Sequence, residues 1–401
     1  MARVVLGVGA GIAAYKVCEL LRLLTESGHE VRVVPTQDSL RFVGAATWQA
    51  LSGHPVSTSP WDDVHEVPHV RLGQQADLLF IAPATADLLA RAAAGLASDL
   101  LTNVLLTARC PVIYAPAMHT EMWHHPATVA NVATLRERGA VVLEPATGRL
   151  TGADTGPGRL PEPAELLAAA RFVLSRAAAG LAATPDLAGR RVVVSAGGTR
   201  EEIDPVRFIG NWSSGRQGYA VAAVAAARGA EVTLVAANTG LTDPAGVRVV
   251  PVTSACELRE AMIEAAKDAD AIVMAAAVAD YRPANRSHTK LKKTGGKPEP
   301  IELTENPDVL RELSTTRRQP GQVIVGFGAE TGDLIANGQV KLAAKGCDLI
   351  VMNTVGNGLA FGTADNQAEI LAADGSRTSV PRGPKDDLAE VIWDLVASRL
   401  R

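Results

Sequence analysis

Short apolar runs that end in glycine or proline give way to alanine- and leucine-rich segments from residue 3 onward, and the pattern starts again at residue 190. In the first half the strands fit RVVLGVG, EVRVVP (Glu30–Pro35), ADLLFIAPA, CPVIYAPA and AVVLEP. Helices fit about Gly11–Ser27, Ala86–Ala94 and Thr128–Arg138. In the second half the strands fit RVVVSA, EVTLVAA, AIVMAAAVAD, VIVGFGAE and CDLIVMN. They are followed by a hairpin turning at Asp374–Gly375 and a closing amphipathic helix over Lys385–Arg401. Strands that alternate with helices predict parallel sheets covered on both faces, with ligands at the carboxyl ends of the strands. The expected fold class is therefore α/β: two consecutive Rossmann-like three-layer domains with mainly parallel sheets. A helix from Pro163 to Ala183 fades into LAATPDLAGRR, which sets the expected domains at 1–180 and 190–401 with a linker at 181–189.

Bulk properties exclude several classes. A formal charge of −4 leaves no footprint for nucleic acid or an anionic membrane surface. No apolar run approaches the ~20 residues of a membrane span, and MARVVLGVGA reads as a strand rather than a signal peptide. Cys18, Cys110, Cys256 and Cys347 are far apart, which suits reduced thiols in a cytoplasmic protein. The chain has nine lysines against thirty arginines, yet Lys290, Lys292, Lys293 and Lys297 fall within eight residues. A compact ammonium on a flexible stem suits a phosphate, so the cluster is a candidate nucleotide contact; a solvated loop explains it equally well.

The segment Arg190–Gly229 concentrates the chemistry. A buried strand ends in Gly197-Gly198, and a polar loop carrying Arg200, Arg207, Asn211, Ser213, Ser214 and Arg216 follows before a helix opens at Gly218. A helix start offers unpaired N–H groups, and so many donors in so long a connection predict an anion-binding active site.

Two apparent motifs fail on physical grounds. Gly9-Ala10-Gly11-Ile12-Ala13-Ala14 matches the dinucleotide fingerprint, which needs an acidic residue after the second strand to hold a ribose diol. Glu30 lies at the wrong end of that strand. The strand instead runs into Pro35-Thr36-Gln37-Asp38-Ser39, whose hydroxyls favour the phosphate of a mononucleotide over NAD. His65-Glu66-Val67-Pro68-His69 matches a helical zinc motif, but Pro68 keeps the two imidazoles off one helical face. The histidines stay available for proton transfer.

The chain as a whole resembles the bacterial bifunctional phosphopantothenoylcysteine decarboxylase/phosphopantothenate–cysteine ligase family of coenzyme A synthesis. In the first half the resemblance lies in GAGIAAYK (9–16), His69-Val-Arg-Leu, PATAD (83–87), PAMHTEMW (116–123) and GADTGPGRL (152–160). In the second it lies in DPVRFIGNWSSGRQG, AAVADY (276–281), KLKK (290–293), NPDV (306–309) and GFGAE.

For the first half the resemblance implies FMN, with its phosphate near Gly9, Ala10, Gly11 and Thr36 and its ring beside Thr85 and Met118. It makes His69 the base that serves while the cysteinyl side is oxidised to a thioaldehyde, which renders the neighbouring carboxylate labile. His119 and Asp154 would contact substrate. Two positions depart from the family pattern: His119 stands where Asn is usual, and Gly152 stands where the covering flap carries a cysteine that protonates the product. Either another donor serves there, or decarboxylation is impaired. A ligase whose first domain is a flavin-binding structural or regulatory module is the alternative reading.

For the second half the resemblance implies activation of phosphopantothenate by CTP as an acyl-cytidylate, followed by attack of the cysteine amine. Asp280 would hold Mg2+, Lys290 compensate charge, Asn211 bond the acyl group and Arg207 an anionic part of the substrate. Ala276, Asn306, Pro307, Asp308, Val309, Phe327, Lys341 and Lys345 would be further nucleotide contacts. Lys341 and Lys345 share a helical face that a solvated edge would explain equally. The family also implies a homo-oligomer of trimeric decarboxylase units and dimeric ligase units, up to a dodecamer.

Overall fold

The structure, a computed structural model, describes all residues except 62–66, 151–153, 181–185, 293–299, 331, 355–362, 364 and 401. Two compact units divide the chain: Met1–Pro185 with Pro244–Gly246, and Asp186–Asp243 with Val247–Arg401.

The first unit is built on β1 (Arg3–Val8), β2 (Glu30–Pro35), β3 (Leu78–Ala84), β4 (Val112–Pro116) and β5 (Val141–Val142). They form one parallel sheet in the order β2-β1-β3-β4-β5. Alternation along β1 decides its two faces. Val4, Leu6 and Val8 pack with the Ala14–Glu26 and Pro163–Ala178 helices, while Val5 joins Leu79, Ile81 and Tyr114 under the helices at Ala86–Ala94 and Leu100–Thr107. Three layers result. A hairpin of β6 (Ala146–Arg149) and β7 (Thr155–Arg159) stands apart from this sheet.

The second unit begins with β8 (Arg191–Gly197), then a small hairpin of β9 (Arg200–Glu202) and β10 (Phe208–Gly210), then β11 (Glu231–Ala237), β12 (Val247–Val252) and β13 (Ala271–Met274). There follow the paired short strands β14 (Tyr281–Pro283) and β15 (Leu303–Glu305), then β16 (Val323–Glu330), β17 (Leu349–Thr354), β18 (Asp365–Ala372) and β19 (Arg377–Pro384). The main sheet runs β12-β11-β8-β13-β16-β17-β18-β19, parallel as far as β17 and antiparallel beyond it. One face packs on the Arg216–Ala227 and Lys385–Arg399 helices through Val192, Val194, Val221, Ile392 and Trp393. The other face packs through Val193, Ile272, Ile324, Leu258 and Met262.

Three expectations shift. The run AIVMAAAVAD is a strand only to Met274, and Ala275–Asp280 leaves the sheet edge instead of extending it. The polar loop after Gly198 folds part of its length into the β9–β10 hairpin, and its helix starts at Arg216, two residues before Gly218. Val247–Val252 is a further parallel edge strand, hidden in sequence by its proline and its half-exposed pattern.

Candidate active sites

In both sheets the strand order reverses beside the first strand of the unit, between β1 and β3 and between β8 and β13. Crevices at such points bind ligands.

In the first unit Gly9 follows β1, Thr36 follows β2, Thr85 follows β3 and Met118 follows β4, so these four expected residues share the carboxyl edge. The backbone at Gly9 donates to the Pro83 carbonyl at 3.1 Å, and a Cβ there would lie 2.4 Å from that oxygen. Only glycine permits so close an approach. Ala10 and Gly11 continue the turn, with Gly11 N–H donating to the Gly9 carbonyl at 3.0 Å. Thr36 N–H donates to Val8 C=O at 2.9 Å, which fixes Thr36 beside that turn. Its hydroxyl is buried and has no partner among the described residues. A buried orphan hydroxyl is costly unless a ligand completes it, and the phosphate of a mononucleotide fits both it and the glycine turn. Thr85 caps the Ala86–Ala94 helix, its hydroxyl accepting from Leu88 N–H at 3.2 Å.

His69 lies in the first turn of a helix over Pro68–Gln75, whose N-cap Val67 has φ 45°. The helix therefore begins at the proline; the H-E-x-x-H expectation also needs His65 and Glu66, which lie outside the described residues. Gly73 lets this helix close on the Leu100–Thr107 helix, since a Cβ there would lie 2.2 Å from the Thr107 hydroxyl. That hydroxyl donates to the His69 carbonyl at 2.8 Å. The His69 Nδ1 is buried with no partner among the described residues.

The β6–β7 hairpin returns onto the segment after β4. Met118 N–H donates to Gly158 C=O at 2.9 Å, and the Thr120 hydroxyl donates to Pro157 C=O at 2.8 Å. His119 and Asp154 are exposed on the two sides of this junction. The departure at Gly152 lies outside the described residues.

In the second unit a cavity of about 840 Å³ opens at the carboxyl edge. It brings together Asn211, Ala276, Asp280, Asn306, Pro307, Asp308, Val309, Phe327, Lys341 and Lys345, which come from five separate stretches of sequence. The Ala275–Asp280 segment is stitched to the glycine turn after β8. Ala277 N–H donates to Gly197 C=O at 2.8 Å, and Thr199 N–H returns a bond to Ala277 C=O at 3.2 Å. Ser195 and Thr199 hydroxyls accept from Ala276 and Ala279 N–H at 3.1 and 3.0 Å. The Asn211 amide donates to Val278 C=O at 3.0 Å. Asn306 closes the next wall, its backbone N–H donating to Asp280 C=O and its amide to Ala279 C=O, each at 2.8 Å. The Asp280 carboxylate is exposed to the cavity. Lys341 pairs with Glu330 and Lys345 with Asp308, each at 2.6 Å.

Arg207 and Lys290 are not part of this lining. Arg207 is held by the buried Asp204, its Nη2 at 2.5 Å and Nε at 3.1 Å from Oδ2. The same oxygen accepts from Leu291 N–H at 3.1 Å, and Arg207 also donates to Leu291 C=O at 2.9 Å, so Asp204 anchors the residue next to Lys290. Arg207 first, then the backbone donors, hold the Asp204 carboxyl well below the usual carboxylate range. Lys290 and Lys292 are exposed; Lys293 and Lys297 lie outside the described residues. Sequence reasoning missed Asn353, Asn366 and Lys385, which also line the cavity. Asn353 lies one residue before the end of β17 and was within reach of the carboxyl-edge rule, whereas Lys385 opens the closing helix after β19.

The family model described as "Flavoprotein" matches residues 1–175, and that of the "DNA/pantothenate metabolism flavoprotein C-terminal domain" matches residues 187–400. The coenzyme A biosynthesis bifunctional protein CoaBC of Mycolicibacterium smegmatis is 59% identical over 411 residues, covering 100% of this chain and 98% of that protein. This chain belongs to the coenzyme A biosynthesis bifunctional protein family. Within that family the protein of the same name from Vibrio cholerae is 40% identical over 403 residues, covering 99% of this chain and 98% of that one. A crystal structure of the C-terminal domain of a coenzyme A biosynthesis bifunctional protein shares 35% identity and covers 54% of this chain and 98% of that one, with a TM-score of 0.46.

Proposed function

We propose that the second unit joins phosphopantothenate to cysteine at the expense of CTP, and that the first unit decarboxylates the resulting phosphopantothenoylcysteine to phosphopantetheine. The observation that carries this reading is that the expected ligase residues, Arg207 and Lys290 apart, line one cavity of about 840 Å³ at the strand ends. In the first step the substrate carboxylate attacks the α-phosphorus of CTP, and the bond to the bridging oxygen breaks to release pyrophosphate. The cysteine amine then attacks the acyl carbon, loses a proton and expels CMP. Asp280 offers one carboxylate toward Mg2+, which is commonly held by one or two carboxylates and the phosphates themselves. Asn211, fixed by Val278, orients the acyl group; Lys290, tethered through Leu291 and Asp204, supplies positive charge as the acyl-cytidylate forms.

In the first unit Gly9, Ala10, Gly11 and Thr36 would hold the FMN phosphate, with Thr85 and Met118 beside the ring. Bound there, FMN supplies the oxidation of the cysteinyl side and its reversal after CO2 has left. His69, with its unpartnered Nδ1, exchanges the proton, while His119 and Asp154 contact the substrate from the junction of the hairpin with the Met118 segment. We place the protein in the cytoplasm as a homo-oligomer of trimeric decarboxylase and dimeric ligase units. No helix among the described residues is long and apolar enough to cross a membrane.

The ligase half is tested by following pyrophosphate with CTP, Mg2+ and phosphopantothenate but no cysteine. A burst that requires phosphopantothenate and vanishes in Asp280→Asn supports the reading. Release that is indifferent to phosphopantothenate contradicts it.

A further inference from the structure

The Leu334–Lys345 helix brings Lys341 and Lys345 to the second unit's cavity from one face, four residues apart. Like charges at that spacing repel, so each ammonium needs a counter-charge to stay in place. The two carboxylates come from different elements. Lys345 Nζ lies 2.6 Å from Asp308 Oδ2, while Asp308 Oδ1 accepts from Arg311 N–H at 3.1 Å, so both oxygens of Asp308 are engaged within the wall. Lys341 Nζ lies 2.6 Å from Oε1 of Glu330, the last residue of β16, and Glu330 Oε2 accepts from the Asn337 amide at 3.4 Å. Asn337 and Lys341 are neighbours on consecutive turns, so one carboxylate grips both.

The strand is shaped for the lysine as well. Alternation along β16 puts Gly328 on the same side as Glu330. A Cβ at Gly328 would stand 2.6 Å from Met352 Sδ and 3.6 Å from Lys341 Cδ, so the lysine stem crosses β16 where there is no side chain. Lys341 lines the cavity and Glu330 does not, which means the carboxylate holds the ammonium from behind. A lysine stem loses much rotamer freedom when a ligand orders it, and a stem already pinned does not lose that freedom again.

We propose that Glu330 is a positioning residue of the ligase site: it pins Lys341 so that the ammonium meets the nucleotide already oriented, a role that rests on the reading of the cavity as a nucleotide site. Its influence on binding passes through Lys341.

A double-mutant cycle, read by calorimetric titration of the full-length protein with CTP and Mg2+, tests this. Glu330→Gln keeps the size and an acceptor for Asn337 but removes the charge. It is expected to weaken CTP binding by about three- to five-fold, the range of a partly exposed ion pair. Lys341→Met is expected to weaken it by about ten-fold or more, and adding Glu330→Gln to Lys341→Met to change it by less than about two-fold. In a Lys345→Met background, where the pair lost is the one with Asp308, Glu330→Gln keeps its full effect. A merely structural role would weaken binding alike in all three backgrounds. Unchanged or tighter binding in Glu330→Gln, or an equal loss with and without Lys341, overturns the positioning role and leaves the nucleotide cavity standing. A wild type that binds neither CTP nor ATP overturns both.

Discussion

The Asp204 carboxylate takes bonds from the backbone of Val206, Arg207 and Leu291 and from the Arg207 guanidinium, so one buried side chain sets two segments that carry expected ligase residues. Asp204→Asn keeps the shape and removes the charge that organises these donors. It should lower ligation kcat by about ten-fold or more through misplacement of Lys290, with CTP affinity little changed; steady-state kinetics beside a CTP titration checks the split. His69→Asn should leave the flavin absorbance of the purified protein intact and cut CO2 release by about a hundred-fold or more. Loss of the flavin itself would assign His69 to holding the cofactor. Only one of these two roles was legible in sequence. His69 followed from its motif and from imidazole chemistry, whereas no local pattern shows that the Asp204 carboxylate reaches Leu291, far along the chain.

The Arg216–Ala227 and Lys385–Arg399 helices are joined around Arg228, which is fully buried and meets Asp186 at 2.6 Å, Asp394 at 2.9 Å and Glu390 at 3.3 Å. One guanidinium cannot neutralise three carboxylates. Burial pushes the Glu390 carboxyl up to about 8, with Arg228 pulling it back and Asp394 and Asp386 adding to the rise. The folded protein therefore keeps a proton there that the unfolded chain releases near the ordinary value of 4.5. The resulting stabilisation is full below that value and is lost as pH rises toward about 8. Thermal unfolding should show this decline across that window, and Glu390→Gln should flatten it; an unchanged slope would contradict the assignment. Arg228→Met should cost about 3–5 kcal/mol by stranding the carboxylates. At the β8 turn, Gly197 has φ 85° and a Cβ there would lie 1.9 Å from the Ala237 carbonyl oxygen. Gly197→Ala should therefore lower the unfolding temperature and the ligase activity together, because the same turn holds the Ala275–Asp280 wall. Strands such as Glu30–Pro35 and Glu231–Ala237 were legible to the residue because they are short apolar runs closed by clear breakers. The early end of β13 was not, since Ala275–Ala279 is as apolar as a strand and is diverted by bonds to Ser195, Gly197 and Thr199 that only the tertiary fold supplies.

At the scale of the whole chain, two α/β units each place most of their expected residues at the carboxyl edge beside a reversal of strand order, with Arg207 and Lys290 as exceptions, and the edge itself was foreseeable from the repeated alternation. What the chain pattern could not give was the wall contributed by β18 and the closing helix, because a hairpin and a helix at the end of a sequence carry no sign of which site they approach. The proposed homo-oligomer is checked by light scattering on the eluted protein, where a fully active monomer would refute it. Two consecutive reactions in one chain are tested together by supplying phosphopantothenate, cysteine, CTP and Mg2+ and identifying the products by mass spectrometry. Phosphopantetheine is the expected product, with CMP and pyrophosphate from the ligation and CO2 from the decarboxylation. Phosphopantothenoylcysteine accumulating alone would contradict the decarboxylase assignment, and the absence of any cysteine adduct would contradict the ligase.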